Sequence, residues 1–127
     1  MHELAIAESI VSSVLEETER QRLGSVKEIG LRIGRLTDVV PEALEFAFEA
    51  ITVDSPLQHT VLRIERVPVS GKCLSCRRTF EVIDFVFSCP HCKSGDIEVT
   101  GGKELDIAYL EVEDHSAEAA GTVVRRS

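Results

Sequence analysis

Basic residues are scarce in this chain: lysine and arginine number 14 against 22 aspartates and glutamates, a formal net charge of -8. A surface of that sign repels a phosphate backbone, which excludes a general nucleic-acid binder and predicts selected protein partners. Long apolar runs are missing as well. Nothing approaches the roughly 20 residues of a membrane-spanning helix. The first twenty residues carry five glutamates with no lysine or arginine before Arg20, the reverse of a secretory signal's basic start. A cytoplasmic protein with no membrane role is therefore expected. No paired nucleophile and base and no phosphate-cradling glycine loop is present, so no enzyme is expected. Cysteine is confined to one stretch, where it falls as two tight pairs, Cys73 with Cys76 and Cys89 with Cys92. In a reducing compartment that grouping points to a metal and away from disulfides.

What remains is an alternation of helix and strand patterns. From Leu4 to about Arg22 the apolar positions Leu4, Ala7, Ile10, Val11, Val14 and Leu15 share one helical face, with Gly24 as the expected terminator. In KEIGLRIGRL, Ile29, Leu31 and Ile33 alternate with Gly30, Arg32 and Gly34, the period of a strand with one face buried. Pro41 suits the first turn of a second helix, PEALEFAFEAI, and a second alternating run, TVLRIERVPV, follows the turn DSP. Strand, helix and strand in that order predict a crossover unit with parallel strands, and KELDIAYLEV supplies a third strand after the cysteines. The expected fold is α+β: two helices packed on a three-stranded mixed sheet, with an inserted zinc-ribbon lobe. Residues 1–69 plus 102–113 form the α/β domain and 70–101 the lobe. The small, polar, aperiodic stretch 114–127 reads as a disordered tail.

Two C-x-x-C knuckles separated by twelve residues have the spacing for four thiolates around one tetrahedral zinc. So small a lobe cannot bury enough apolar surface to fold alone, so the metal is expected to be structural. A redox dithiol, an iron centre, or His91 in place of one cysteine are the competing readings. Arg77 and Arg78 would offset the negative charge of a zinc tetrathiolate.

The chain opens Met1-His2-Glu3. A terminal amine and an imidazole one residue away can share one metal through the amide nitrogen between them, an arrangement that suits nickel(II) or copper(II). The first N–H groups of a helix have no carbonyl partner within it, so surrendering an amide proton there breaks no helical hydrogen bond. Such a motif fills three corners of a square plane and leaves the fourth to Glu3, another histidine, water or a partner, as a carrier requires. The plainer reading is a solvated terminus, with Glu3 a favourable first-turn carboxylate.

Taken together, the MHE start, RIGRLTDVVPEALEFAFEA and the C-x2-C-x12-C-x2-C pattern resemble the hydrogenase nickel-incorporation metallochaperone family, HypA/HybF. That resemblance spans nearly the whole chain. It implies a nickel role for Met1, His2 and Glu3, with nickel as transient cargo, and a structural-zinc role for Cys73, Cys76, Cys89 and Cys92. It also implies delivery of nickel to the large-subunit precursor of a nickel-iron hydrogenase, in partnership with a nickel-handling maturation GTPase. Some members of the family have histidines flanking the cysteine pairs, associated with pH-sensitive zinc coordination and urease maturation. Here Arg77 and Lys93 stand at those positions, which points away from both properties. The reading from another class is a zinc-ribbon protein-interaction module in transcription or translation.

Overall fold

The computed structural model describes residues 3–113 and 122–125. Met1 and His2 lie outside that range, as do residues 114–121 and 126–127. In chain order the elements are α1 (Glu3–Gln21), β1 (Ser25–Gly34), α2 (Pro41–Ile51), β2 (Val61–Val67), β3 (Ser70–Cys73), β4 (Thr79–Glu81), β5 (Ile97–Gly101), β6 (Leu105–Glu113) and β7 (Thr122–Arg125). Two compact units result, one of Met1–Leu31, Asp38–Glu65 and Asp106–Ser127, the other of Arg32–Thr37 and Arg66–Leu105.

In the first unit α1 buries Ile6, Ala7, Ile10 and Val14, and α2 packs against it with Leu44 and Phe48 buried. Glu3 in the first turn of α1 and Arg20 in the last complement the helix dipole. The helix does not run on to Gly24. Arg22 takes the left-handed conformation at φ 53°. The Leu23 N–H then reaches the Thr18 carbonyl at 2.9 Å and the Arg22 N–H the Glu19 carbonyl at 3.3 Å, closing the helix with a Schellman motif built on arginine. Pro41 opens α2, and Thr52 closes it by donating its hydroxyl to the Phe48 carbonyl at 2.7 Å. The three expected strands lie side by side as β2, β1 and β6 in a mixed sheet. A fourth strand extends it: residues 122–125, within the stretch expected to be a disordered tail, pair antiparallel with β6, Leu110 opposite Val124.

Glycine in the middle of β1 has a specific cause. Gly30 is buried beneath the ring of Tyr109 on β6, and a Cβ at that position would overlap the ring. The Tyr109 hydroxyl donates to Glu28 Oε2, while Arg63 Nη2 stands 3.3 Å from Glu28 Oε1. The tyrosine hydrogen bond holds the Glu28 carboxyl below its ordinary 4.5, opposed by burial and assisted by Arg63, and Glu28 in turn raises Tyr109 above its ordinary 10.0. A depressed carboxylate stabilises the fold above its unfolded pKa and loses that contribution as pH falls through the folded one. A raised tyrosine contributes below its unfolded pKa and loses the contribution as pH rises through the folded one. Tyr109→Phe is thus expected to cost about 1 kcal/mol, constant between about pH 5 and 9 and shrinking outside that window. Urea denaturation of both proteins at pH 3, 7 and 11 checks this.

The second unit has its own three-stranded sheet in the order β4-β3-β5, with β3 antiparallel to both neighbours. It takes in the end of β1 because the backbone is stitched there. Gly34 N–H donates to the Glu104 carbonyl at 2.7 Å, Arg35 to Val67 at 2.9 Å and Leu36 to Gly102 at 2.8 Å. Among its described residues the buried apolar side chains are Ile33, Val69 and Val82 together with Cys73 and Cys89. A core that small, with two thiols in it, requires a further source of stability.

Candidate metal centre

Each cysteine pair sits on a tight turn, and the two turns are built alike. In the first, the Cys73 N–H meets the Arg78 carbonyl at 2.9 Å and the Arg77 N–H the Cys73 carbonyl at 2.8 Å. In the second, Cys89 meets Ser94 at 2.9 Å and Lys93 meets Cys89 at 2.9 Å. Arg77 and Lys93 occupy equivalent places and share a left-handed φ of 66°. Backbone N–H groups are aimed at sulfur in both: Cys76 at Cys73 Sγ, 3.4 Å, and Cys92 and His91 at Cys89 Sγ, 3.4 and 3.3 Å.

The turns bring the four sulfurs together, all within 4.8 Å of one another. Cys73 Sγ lies 3.5 Å from Cys92 Sγ, and Cys76 Sγ 3.6 Å from Cys89 Sγ. Bonds of about 2.3 Å to a tetrahedral zinc put neighbouring sulfurs about 3.8 Å apart, so the cluster fits that ion. None of the thiols is in a disulfide. His91 is exposed and its ring is not part of the cluster; it serves through its backbone N–H.

The thiols do not ionise alike. The Cys76 N–H draws Cys73 down to about 6 against the opposing effect of burial. Burial acts upward on Cys89, but the N–H groups of Cys92 and His91 outweigh it and the thiol is lowered. On Cys92 the Ser94 N–H acts downward, yet the Cys73 sulfur, burial and the other two thiols raise it to about 11. Cys92 is the thiol that resists ionisation, so holding all four sulfurs as anions needs a dication among them, and a zinc held by all four has no open position for chemistry.

An L-residue in the left-handed region costs roughly 1–2 kcal/mol, of which glycine's greater freedom in the unfolded chain offsets roughly 0.5–1. Lys93→Gly is therefore expected to stabilise the second turn by roughly 0.5–1 kcal/mol, read as slower amide exchange of residues 89–96 in the zinc-loaded protein.

Of the residues singled out for nickel, Glu3 is described. It opens α1, and its Oε2 accepts the Val40 N–H at 3.3 Å, at the N-cap of α2. That tie between the start of one helix and the start of the next was not legible in the sequence. His59 is exposed.

A sequence model described as hydrogenase/urease nickel incorporation, metallochaperone, hypA matches residues 1–112. The hydrogenase maturation factor HypA of Dechloromonas aromatica is 38% identical over 113 residues, covering 89% of this chain and 100% of that protein. The protein of the same name from Geobacter metallireducens is 42% identical over 113 residues, with the same coverage. Two solved structures share the fold: that of the Ni metallochaperone HypA from Helicobacter pylori, with TM-score 0.64 and 21% identity over 91% of this chain and 100% of that one, and one described as HypA protein, with TM-score 0.69 and 22% identity over 89% and 97%. At that identity they speak for the fold alone. With a four-sulfur centre in its inserted lobe and a family match running almost from end to end, the chain belongs to the HypA family of hydrogenase/urease nickel-incorporation metallochaperones, which carry metal and are not enzymes.

Proposed function

We propose that this chain holds nickel(II) at Met1-His2-Glu3 and delivers it to the large-subunit precursor of a nickel-iron hydrogenase, working with a nickel-handling GTPase, while zinc on Cys73, Cys76, Cys89 and Cys92 is structural. The observation that carries this reading is that four sulfurs gather within 4.8 Å of one another, as many donors as a tetrahedral ion takes. A metal bound there has no labile position, so cargo destined for release needs a second site of different chemistry. Glu3 standing in the first turn of α1 supports the terminus as that site, because N–H groups there have no helical acceptor to lose. One Glu3 oxygen is engaged by Val40, which leaves Oε1 and the backbone amide as its donors to a metal. Hydrogen bonding of that carboxylate to the Val40 N–H ties the first turn of α1 to the start of α2. Nickel titration of untagged protein, followed by transfer to hydrogenase precursor with and without His2→Ala, tests the reading.

A further inference from the structure

The second unit contains a cavity of about 490 Å³ lined by Arg35, Arg66, Val69, Glu81, Val82 and Ile83 among others. A second cavity of about 290 Å³ shares both arginines, Val69 and Val82 and adds Phe85. Nothing in the zinc centre uses either. Three observations set the region apart. Arg66 Nη1 is buried with no hydrogen-bond partner among the described residues, and none of the ion pairs among them engages Arg35 or Arg66. A buried guanidinium nitrogen without an acceptor is costly, and native structures almost always supply one. Beside it, Ile83, Phe85 and Val86 are 63%, 64% and 58% exposed, a run of apolar side chains in water within one turn. That turn is itself strained. Asp84 and Phe85 both hold left-handed backbone, φ 53° and 57°, and a phenylalanine in that region is an outlier.

We propose that this face docks a segment of a partner protein in which a carboxylate stands beside apolar side chains. The carboxylate meets Arg35 and Arg66 and the apolar groups cover Ile83 and Phe85. Charge complementarity selects that occupant. A guanidinium matches a carboxylate with two parallel hydrogen bonds, and the missing acceptor of Arg66 is supplied by that contact. Glu81 and Asp84, in the same lining, balance the two guanidinium charges, so a single carboxylate can pair with the arginines while a polyphosphate of several negative charges is repelled. The strained turn holds Phe85 outward, where it is available as an anchor before the partner arrives. The proposal stands apart from the nickel reading and does not depend on the terminus.

The test uses the full-length, zinc-loaded protein and a displayed library of short random peptides. Peptides pairing glutamate or aspartate with leucine or phenylalanine are expected to be enriched. The best of them, synthesised, should bind Arg66→Gln at least about tenfold more weakly, and Arg35→Gln similarly, while Arg20→Gln, an exposed arginine on α1 outside the cavity, binds as wild type does. Zinc content and amide exchange are compared across the variants. Should Arg66→Gln disturb the fold, glutamine replacing glutamate in the peptide, measured against wild-type protein, makes the same comparison from the other side. Enrichment without acidic residues, equal affinity for the neutral peptide, or equal affinity of folded Arg66→Gln would overturn the proposal. Displacement of the peptide by low concentrations of tripolyphosphate or a short RNA would assign the face to a polyanion instead. An Arg66-dependent dimer that excludes the peptide would assign it to a second copy of the chain.

Discussion

Cys73→Ser and Cys89→Ser are each expected to lose zinc and to unfold residues 66–105 while the helical unit keeps its structure. Both thiols are fully buried at the centre of a unit that otherwise buries little. A serine hydroxyl leaves three thiolates and a neutral oxygen where four anionic donors were needed. Structural zinc contributes an apparent ~10–16 kcal/mol in small zinc peptides, more than the whole stability of most domains, so even partial loss of affinity removes the lobe's main support. Unit one is expected to survive because Ala7, Val14, Ile29, Leu44 and Phe48 form a dry core that includes no sulfur. Cys92 is the exposed member, and Cys92→Ser should be milder because water can fill its corner of the tetrahedron. Zinc content by mass spectrometry, with amide exchange mapped along the chain, decides the matter. Full zinc occupancy in Cys73→Ser, or loss of protection in α1 and α2 equal to that in the lobe, would refute the structural-zinc assignment. Strong chelators should reproduce the cysteine variants, with release faster at acid pH, where protons compete for the thiolates.

His2→Ala is expected to abolish nickel delivery to hydrogenase precursor and to weaken nickel binding by about a hundredfold or more, about 3 kcal/mol, with zinc and fold unchanged. The substitution removes the imidazole and leaves the terminal amine and two amides, which cannot alone satisfy a planar nickel. Inserting a glycine between Met1 and His2 keeps every donor but alters each chelate ring. That variant is also expected to fail in delivery, although histidine at position three makes a strong nickel and copper chelate of its own. Affinity by itself would mislead there, so incorporation into the precursor is the measurement that counts, with zinc content and circular dichroism recorded for each protein. A tag before Met1 is expected to act like the substitution, because it converts the amine into an amide. Wild-type delivery by both altered proteins would mean that the cargo is carried elsewhere.

The parts of the fold that the sequence disclosed are those in which the periodic pattern and the local chemistry agree. Of the helical face read from the pattern, Ala7, Ile10 and Val14 are buried as one stripe, whereas Leu4 is exposed and Ile6 is buried with them instead, and Pro41 opens α2 as an N-terminal proline should. Gly24 misled because glycine is the usual left-handed residue at a helix end, whereas Arg22 takes that conformation, its N–H donating to the Glu19 carbonyl and the Leu23 N–H to that of Thr18. The strand at 122–125 was invisible in a short aperiodic tail, since it exists by pairing with β6, and pairing partners leave no trace in a four-residue stretch.

The sequence by itself disclosed the family and the four cysteines that the fold gathers into one cluster. Both rest on local information: a C-x-x-C turn aims its own two sulfurs wherever it stands, and only the same four positions repeat that geometry. Tertiary structure decided what depends on residues far apart in the chain. It set Tyr109 over Gly30, tied Glu3 to the N–H of Val40, and carried the end of β1 into the lobe through Gly34, Arg35 and Leu36. It also left Arg66 Nη1 buried without an acceptor among the described residues, beside an exposed apolar turn. An arginine in a strand pattern reads as a solvated charge, and only the packing of the chain around it removes the water and makes the missing partner visible.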